Sequence, residues 1–98
     1  MRWYGGLYTD PQLEGKIDTV KKELEKGECP RNLYVILPAS NGKDLLEFRR
    51  GRDLKKEYFR DKNPLIIGVA NGYDEVMELT ARIVEERFKD GKICLEGD

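Results

Sequence analysis

Two short runs of the chain, residues 33–37 and 65–70, are apolar at every position. A half-exposed strand alternates apolar and polar residues, so these runs predict interior strands that are covered on both faces. The more polar run 45–49 follows the first of them after a turn and predicts an antiparallel edge strand. Residues 3–8 are rich in aromatic residues and contain two adjacent glycines, which predicts a strand with a bulge.

Two further segments carry apolar residues at helical spacing. The first follows Thr9 and Asp10, either of which is suited to cap a helix, and it ends at Gly27. The second begins near Tyr73 and stops at Gly91. Its apolar positions form one broad arc of a helix: Val76, Met77, Leu79, Ala81, Ile83, Val84 and Phe88.

A short helix over residues 53–60 and a last strand over 93–95 complete the order β-α-β-β-(α)-β-α-β. Interior strands that are covered on both faces need helices on both sides of the sheet. We therefore predict a single α/β domain over residues 1–98, a small three-layer sandwich with a mixed, partly parallel sheet. Right-handed crossovers favour the spatial strand order 3-2-1-4-5. The alternative is a two-layer, ferredoxin-like sheet with both helices on one face.

Composition narrows the range of chemistries. The 98 residues include 18 Lys/Arg and 19 Asp/Glu, so a net charge of −1 creates no global field toward nucleic acid or a membrane. The chain contains no histidine, which removes the commonest general base and most transition-metal sites. We predict no catalytic residue, no metal site and no cofactor, and we expect a protein that is not an enzyme.

The compartment follows from the cysteines and the N-terminus. Cys29 and Cys94 form no C-x-x-C pair; we expect reduced thiols, although the spacing also allows a single bridge. The N-terminus has no basic segment followed by a long apolar stretch, and no apolar run approaches the length of a membrane span. We expect a cytoplasmic protein without a membrane partner.

The stretch IIGVANGYDEV, residues 66–76, raises the question of an anion site. A strand, a glycine turn and a helix start can hold a phosphate at the carboxyl ends of parallel strands. Three strand-end segments are expected to meet there. Their candidate residues for binding a small anionic ligand are Thr9, Asp10, Ser40, Asn41, Asn71, Gly72 and Tyr73.

The charges of the same stretch oppose that hypothesis. Asp10 begins one helix and Asp74 begins the other, and carboxylates in a first turn repel an anion. The glycine spacing Gly68-x-x-x-Gly72 matches neither a Walker loop nor G-x-G-x-x-G. The alternative is a structural corner in which Asn71 or Asp74 caps the helix. Asp10 and Asp74 are also compatible with magnesium, but no ligand pattern supports such a site.

A basic segment over residues 49–62 is the second candidate site. It holds seven Lys/Arg against three Asp/Glu, a local net charge of +4, with two aromatic residues between them. Cations for phosphate and rings for stacking are typical of a nucleic-acid surface. The alternatives are a solvated edge strand with a short amphipathic helix, and a patch that meets the acidic last helix of another copy. The candidate cations are Arg49, Arg50, Arg52, Lys55, Lys56 and Arg60.

The run from Pro64 to Glu75 and the helix after it resemble a family of uncharacterised bacterial proteins of about this length. These proteins share a similar "PLIVGIA-GY-EA-EL" stretch, matched here by residues 64–79, and an aromatic start that Leu7-Tyr8 matches here. The family has no assigned activity, so the resemblance implies no catalytic residue. It implies a bacterial origin and a small domain of unknown function.

Taken together, these patterns favour a small binding or protein-interaction module without catalytic activity. Its partner is expected to be another protein or a second copy in a homodimer. Nucleic-acid binding through the basic segment and small-anion binding at the strand ends remain the two alternatives.

Overall fold

The computed structural model describes residues 2–39, 45–55 and 63–95. Its secondary-structure elements, in chain order, are β1 (Arg2–Thr9), a 3-10 helix (Pro11–Leu13), α1 (Ile17–Lys26), β2 (Leu33–Pro38), β3 (Leu46–Arg50), a second 3-10 helix (Gly51–Lys55), β4 (Leu65–Asn71), α2 (Tyr73–Arg87), β5 (Phe88–Lys89) and β6 (Lys92–Ile93). The predicted α/β sandwich with a mixed sheet is confirmed.

The main sheet has four strands in the order β1-β4-β2-β3. β1 runs parallel to β4, whereas β2 is antiparallel to both of its neighbours. The predicted order, with the first strand beside the second, is wrong. Residue Thr9 lies opposite Val69 and residue Leu33 lies opposite Asn71, so β2 begins at the edge of the sheet where β1 ends. The chain therefore leaves β1 and enters β2 at the same end of the strands, with α1 inside this connection, and β1 and β2 do not pair.

The two helices lie on opposite faces of this sheet, so the two-layer alternative is wrong. On one face, Val20 and Leu24 of α1 pack with Val35 and Val69. On the other face, Val76, Leu79 and Ile83 of α2 pack with residues from three strands. The strand residues are Tyr4 of β1, Ile36 of β2, and Ile67 and Ala70 of β4. β2 and β4 are apolar at successive positions because they contribute to both cores.

Three boundaries differ from the prediction. The first helix is interrupted after Leu13, because Gly15 adopts a φ of 80° and separates the 3-10 turn from α1. The last strand pairs only with β5, in a hairpin outside the main sheet. Of the predicted helix over 53–60, the structure shows a 3-10 turn that ends at Lys55, and residues 56–62 lie outside the described residues.

The buried stripe of α2 is narrower than the sequence predicts. Val76, Leu79 and Ile83 are buried, whereas Met77 is 47% exposed and Phe88 is 51% exposed. Ala81 is exposed as well. One line of α2 side chains is therefore buried against the sheet, whereas Met77 and Phe88 are about half exposed. No helix within the described ranges is both long enough and apolar enough to cross a membrane.

Candidate functional site

At the carboxyl ends of β1 and β4, the Asp10 carboxylate accepts hydrogen bonds from two backbone N–H groups. Its side chain is buried at 4% exposure. Oδ1 accepts a hydrogen bond from the N–H of Gln12 at 3.2 Å, and Oδ2 accepts one from the N–H of Asn71 at 3.2 Å. The Asp10 N–H donates to the Val69 carbonyl at 3.1 Å. Asp10 therefore joins two strand ends and starts the 3-10 turn, and both of its carboxylate oxygens have backbone donors.

The N-terminus of α2 is capped by backbone geometry and not by a side chain. Gly72 is the N-cap residue, with φ at 115°, a conformation that favours glycine. Its N–H donates to the Asn32 carbonyl at 2.9 Å. The Glu75 carboxylate lies against Gly72, where a side chain at position 72 would collide with it. The cap carries no side-chain hydrogen bond, so the prediction that Asn71 or Asp74 caps the helix is wrong.

These contacts decide how the candidate ligand-binding residues are used. Thr9 is half-buried in β1, and Asp10 and Asn71 are in direct contact. Ser40 and Asn41 lie outside the described residues. A cleft of about 250 Å³ next to Asp10 is lined by Asp10, Pro11, Glu75, Glu78, Leu79 and Arg82. Three carboxylates and one guanidinium do not select an anion, and the Glu75 carboxylate lies at the helix start where an anion would bind.

A second cleft of about 250 Å³ opens on the α1 side of the sheet. Its lining combines one cation and one carboxylate with a largely apolar floor: Leu13, Lys16, Thr19, Val20, Glu23, Pro30, Leu33 and Asn71. Within the described ranges, no group of three or more His, Cys, Asp or Glu residues is placed to hold a metal ion.

The basic segment does not present its first cations on one surface. Arg49 lies opposite Val35 and Arg50 lies opposite Tyr34, so the two side chains leave β3 on opposite faces of the sheet. Arg49 Nη2 lies 3.6 Å from Glu47 Oε2, and Arg52 is exposed in the turn that follows. Lys56 and Arg60, together with the side chain of Lys55, lie outside the described residues.

The aromatic N-terminus is used inside the fold. Tyr4 is buried, and the Trp3 indole donates to Glu25 at 3.3 Å while the Lys21 ammonium lies 5.4 Å from its ring. The predicted bulge is present, since β1 advances five residues from Trp3 to Tyr8 while β4 advances two. These rings attach β1 to the helices.

Three other rings form a cluster on the α2 face of the sheet. Tyr34 of β2, Phe48 of β3 and Tyr73 of α2 meet edge to face, with centroid separations of 6.0 Å, 6.2 Å and 5.9 Å. Tyr73 is 57% exposed although it touches both other rings. Met77 follows it by one helical turn and is 47% exposed. We call Tyr34, Phe48, Tyr73 and Met77 the aromatic surface.

Sequence reasoning found only one member of this surface. The sequence predicts Tyr73 as a candidate ligand-binding residue, whereas it places Met77 in the apolar arc of a helix and Tyr34 in a covered strand. The alternation of Leu46 and Phe48 with charged residues in β3 would have placed Phe48 on one face of an edge strand. Which helix residues lie beside that ring depends on the strand order, and the sequence did not predict the order correctly.

The comparisons with known proteins add no relative. No protein-family model, no curated protein and no solved structure matches this chain. The resemblance to a family of small bacterial proteins therefore stays a prediction, and any function has to be argued from the site itself.

Proposed function

We propose that the protein is a cytoplasmic, non-catalytic interaction module that binds a protein partner through the aromatic surface. The observation that carries this proposal is the cluster of Tyr34, Phe48 and Tyr73, with Tyr73 more than half exposed. Tyrosine, phenylalanine and methionine are enriched at protein interfaces: the rings bury much area with few rotamers to fix, and the flexible methionine side chain adapts to the partner surface. A contiguous exposed apolar surface is typical of such a contact.

The polar groups support the same proposal. The buried carboxylate of Asp10 is bonded to two backbone N–H groups, so it has a structural task in the fold. The absence of histidine from the sequence lowers the expectation of acid–base chemistry. Cys94 is a free thiol, which fits a reducing compartment.

The two alternatives receive less support. Arg49 and Arg50 diverge to opposite faces of the sheet, which does not favour one continuous track for phosphates. The strand-end cleft carries three carboxylates, which disfavours an anionic ligand.

The test compares two lysine substitutions at equally exposed apolar positions. Met77→Lys places a charge in the aromatic surface, and Phe88→Lys places one on the hairpin at nearly the same exposed fraction. Each immobilised protein is incubated with a native extract, and retained proteins are quantified by mass spectrometry. The proposal predicts partners that wild type and Phe88→Lys retain and Met77→Lys loses. It is overturned if association, including self-association, is the same for all three proteins.

A further inference from the structure

β3 is one of the two edges of the main sheet, and it is the regular one. Its five residues pair with β2 in unbroken register, from Tyr34 opposite Arg50 to Pro38 opposite Leu46. The other edge, β1, carries the bulge at Gly5 and Gly6, and a bulged edge is a poor template for another strand. Within the described ranges, no strand pairs with the outer side of β3.

A second copy that joined this edge antiparallel would have only a few registers to choose from. A two-fold axis between the strands stands perpendicular to the sheet and keeps each side chain on its own face. Two residues that lie opposite each other must point to the same face of the sheet. One residue of β3 therefore lies directly opposite its own copy, and the axis passes midway between these two copies. For the three middle residues of β3, the candidate centres are Glu47, Phe48 and Arg49.

The charges of β3 separate these registers. If the axis is centred on Glu47, the two Glu47 carboxylates lie opposite each other. If it is centred on Arg49, the two Arg49 guanidinium groups lie opposite each other. Like charges directly opposite each other in a sheet are destabilising. If the axis is centred on Phe48, Glu47 of each copy lies opposite Arg49 of the other copy. This gives two opposite-charge pairs related by the axis. β3 is therefore self-complementary in one register and self-repelling in the two adjacent registers.

The Phe48-centred register also joins the aromatic surfaces. Phe48 of one copy lies directly opposite Phe48 of the second, and opposed residues in such a pair approach to about 5 Å between Cβ atoms. Each ring already contacts Tyr34 and Tyr73 of its own chain, so the two clusters become continuous across the axis. Leu46 lies opposite Arg50, whose aliphatic stem can cover it.

We propose that a second copy of this chain pairs with β3 antiparallel about Phe48, giving a continuous eight-stranded sheet with one shared aromatic surface. This inference rests on the proposed function and names the partner of the same surface. The occupant is argued from the charge complementarity of Glu47 and Arg49 and from the continuity of the ring cluster. The outer N–H and C=O groups of β3 become hydrogen-bonded in the pair.

The test reverses the two charges separately and then together. In Glu47→Arg, arginine opposes arginine, and in Arg49→Glu, glutamate opposes glutamate. Each single variant is expected to weaken the dimer on the order of tenfold, by like-charge repulsion at two symmetric positions. The double variant E47R/R49E exchanges the charges and should dimerise like wild type. An equimolar mixture of the two single variants should form a heterodimer that is tighter than the homodimer of either variant.

The mixture is the decisive sample, measured by sedimentation equilibrium with circular dichroism as a check on folding. Each single variant also loses its own Glu47–Arg49 contact at 3.6 Å, and mixing does not restore that contact within either chain. Recovered association therefore reports contacts between chains. Monomeric wild type, single variants that dimerise normally, or a mixture that stays monomeric would each overturn the inference. If wild type is monomeric while Met77→Lys loses another protein from the extract, the proposed function stands and the second copy is excluded.

Discussion

The Asp10 carboxylate accepts a hydrogen bond from the Asn71 backbone N–H at 3.2 Å, and this contact fastens the end of β1 to the end of β4. The two residues are 61 positions apart in the chain. Because the same carboxylate also accepts from Gln12, one buried side chain fixes the whole strand-end corner. The corner is structural, and the aromatic surface on the α2 face is the better candidate for binding.

Asp10→Ala should therefore lower the stability of the fold. The backbone N–H groups of Gln12 and Asn71 lose a carboxylate acceptor from two part-buried hydrogen bonds, and hydrogen bonds to charged groups contribute about 1.5–3 kcal/mol each. We expect a loss of about 2–4 kcal/mol in the free energy of unfolding, measured by urea denaturation. The control is Asp74→Ala, an exposed acid in the first turn of α2, which should cost about 1 kcal/mol or less. Equal effects for the two variants would contradict the structural role of Asp10.

Tyr8→Phe tests the contact between β1 and the end of α2. The Tyr8 hydroxyl donates to Glu86 Oε1 at 2.9 Å and accepts from Arg87 Nε at 3.0 Å. Removing it leaves a half-buried arginine without this acceptor, so we expect a loss of about 1–2 kcal/mol in the free energy of unfolding. Tyr73→Phe removes a hydroxyl from a ring that is 57% exposed and should change stability by less than about 0.5 kcal/mol. The order of the two effects is the outcome to check by chemical denaturation.

Gly51→Ala and Gly5→Ala test how much space surrounds each glycine in the fold. A Cβ on Gly51 would meet Cys29 Sγ and would lie 2.9 Å from Leu24 Cδ2, whereas a Cβ on Gly5 meets nothing within 4 Å. Overpacking of a core costs about 1–3 kcal/mol, so Gly51→Ala should lower the melting temperature and Gly5→Ala should leave it nearly unchanged. A neutral Gly51→Ala would contradict the close packing of Gly51 against Leu24 and Cys29.

Ile83→Ala and Met77→Ala test which face of α2 is buried. Ile83 is fully buried, and replacing a buried isoleucine by alanine costs about 2–5 kcal/mol. Met77 is 47% exposed, so its replacement should cost under about 1 kcal/mol in unfolding free energy. Comparable losses in urea denaturation would return Met77 to the core, where its sequence position predicts it, and would remove it from the aromatic surface.

Features that depend on local sequence patterns could be predicted from the sequence, whereas features that depend on contacts between distant segments could not. Apolarity at successive positions of residues 33–37 and 65–70 correctly predicted strands covered on both faces, because that pattern is local. The cap at Gly27 was predicted correctly for the same reason. The strand order was not, since it depends on where α1 returns the chain and not on any one segment.

In the candidate site, too, local features could be predicted from the sequence and long-range contacts could not. The glycine turn of IIGVANGYDEV is visible in the sequence, and the structure shows Gly72 as the N-cap residue of α2. Whether this stretch binds an anion stays a prediction. The contact of Asp10 with Asn71 and the meeting of Tyr34, Phe48 and Tyr73 are long-range contacts. Both depend on a strand order that hydrophobic periodicity does not encode.

The central claim is that the edge formed by β3 and the aromatic surface binds a second copy. Isotope-filtered NMR on an equimolar mixture of labelled and unlabelled protein measures that contact directly, because only nuclei in different copies give a filtered signal. We predict intermolecular contacts between the Phe48 rings, between Leu46 and Arg50, and between Glu47 and Arg49. Intermolecular contacts confined to other surfaces, or none at concentrations where the protein sediments as a dimer, would contradict it.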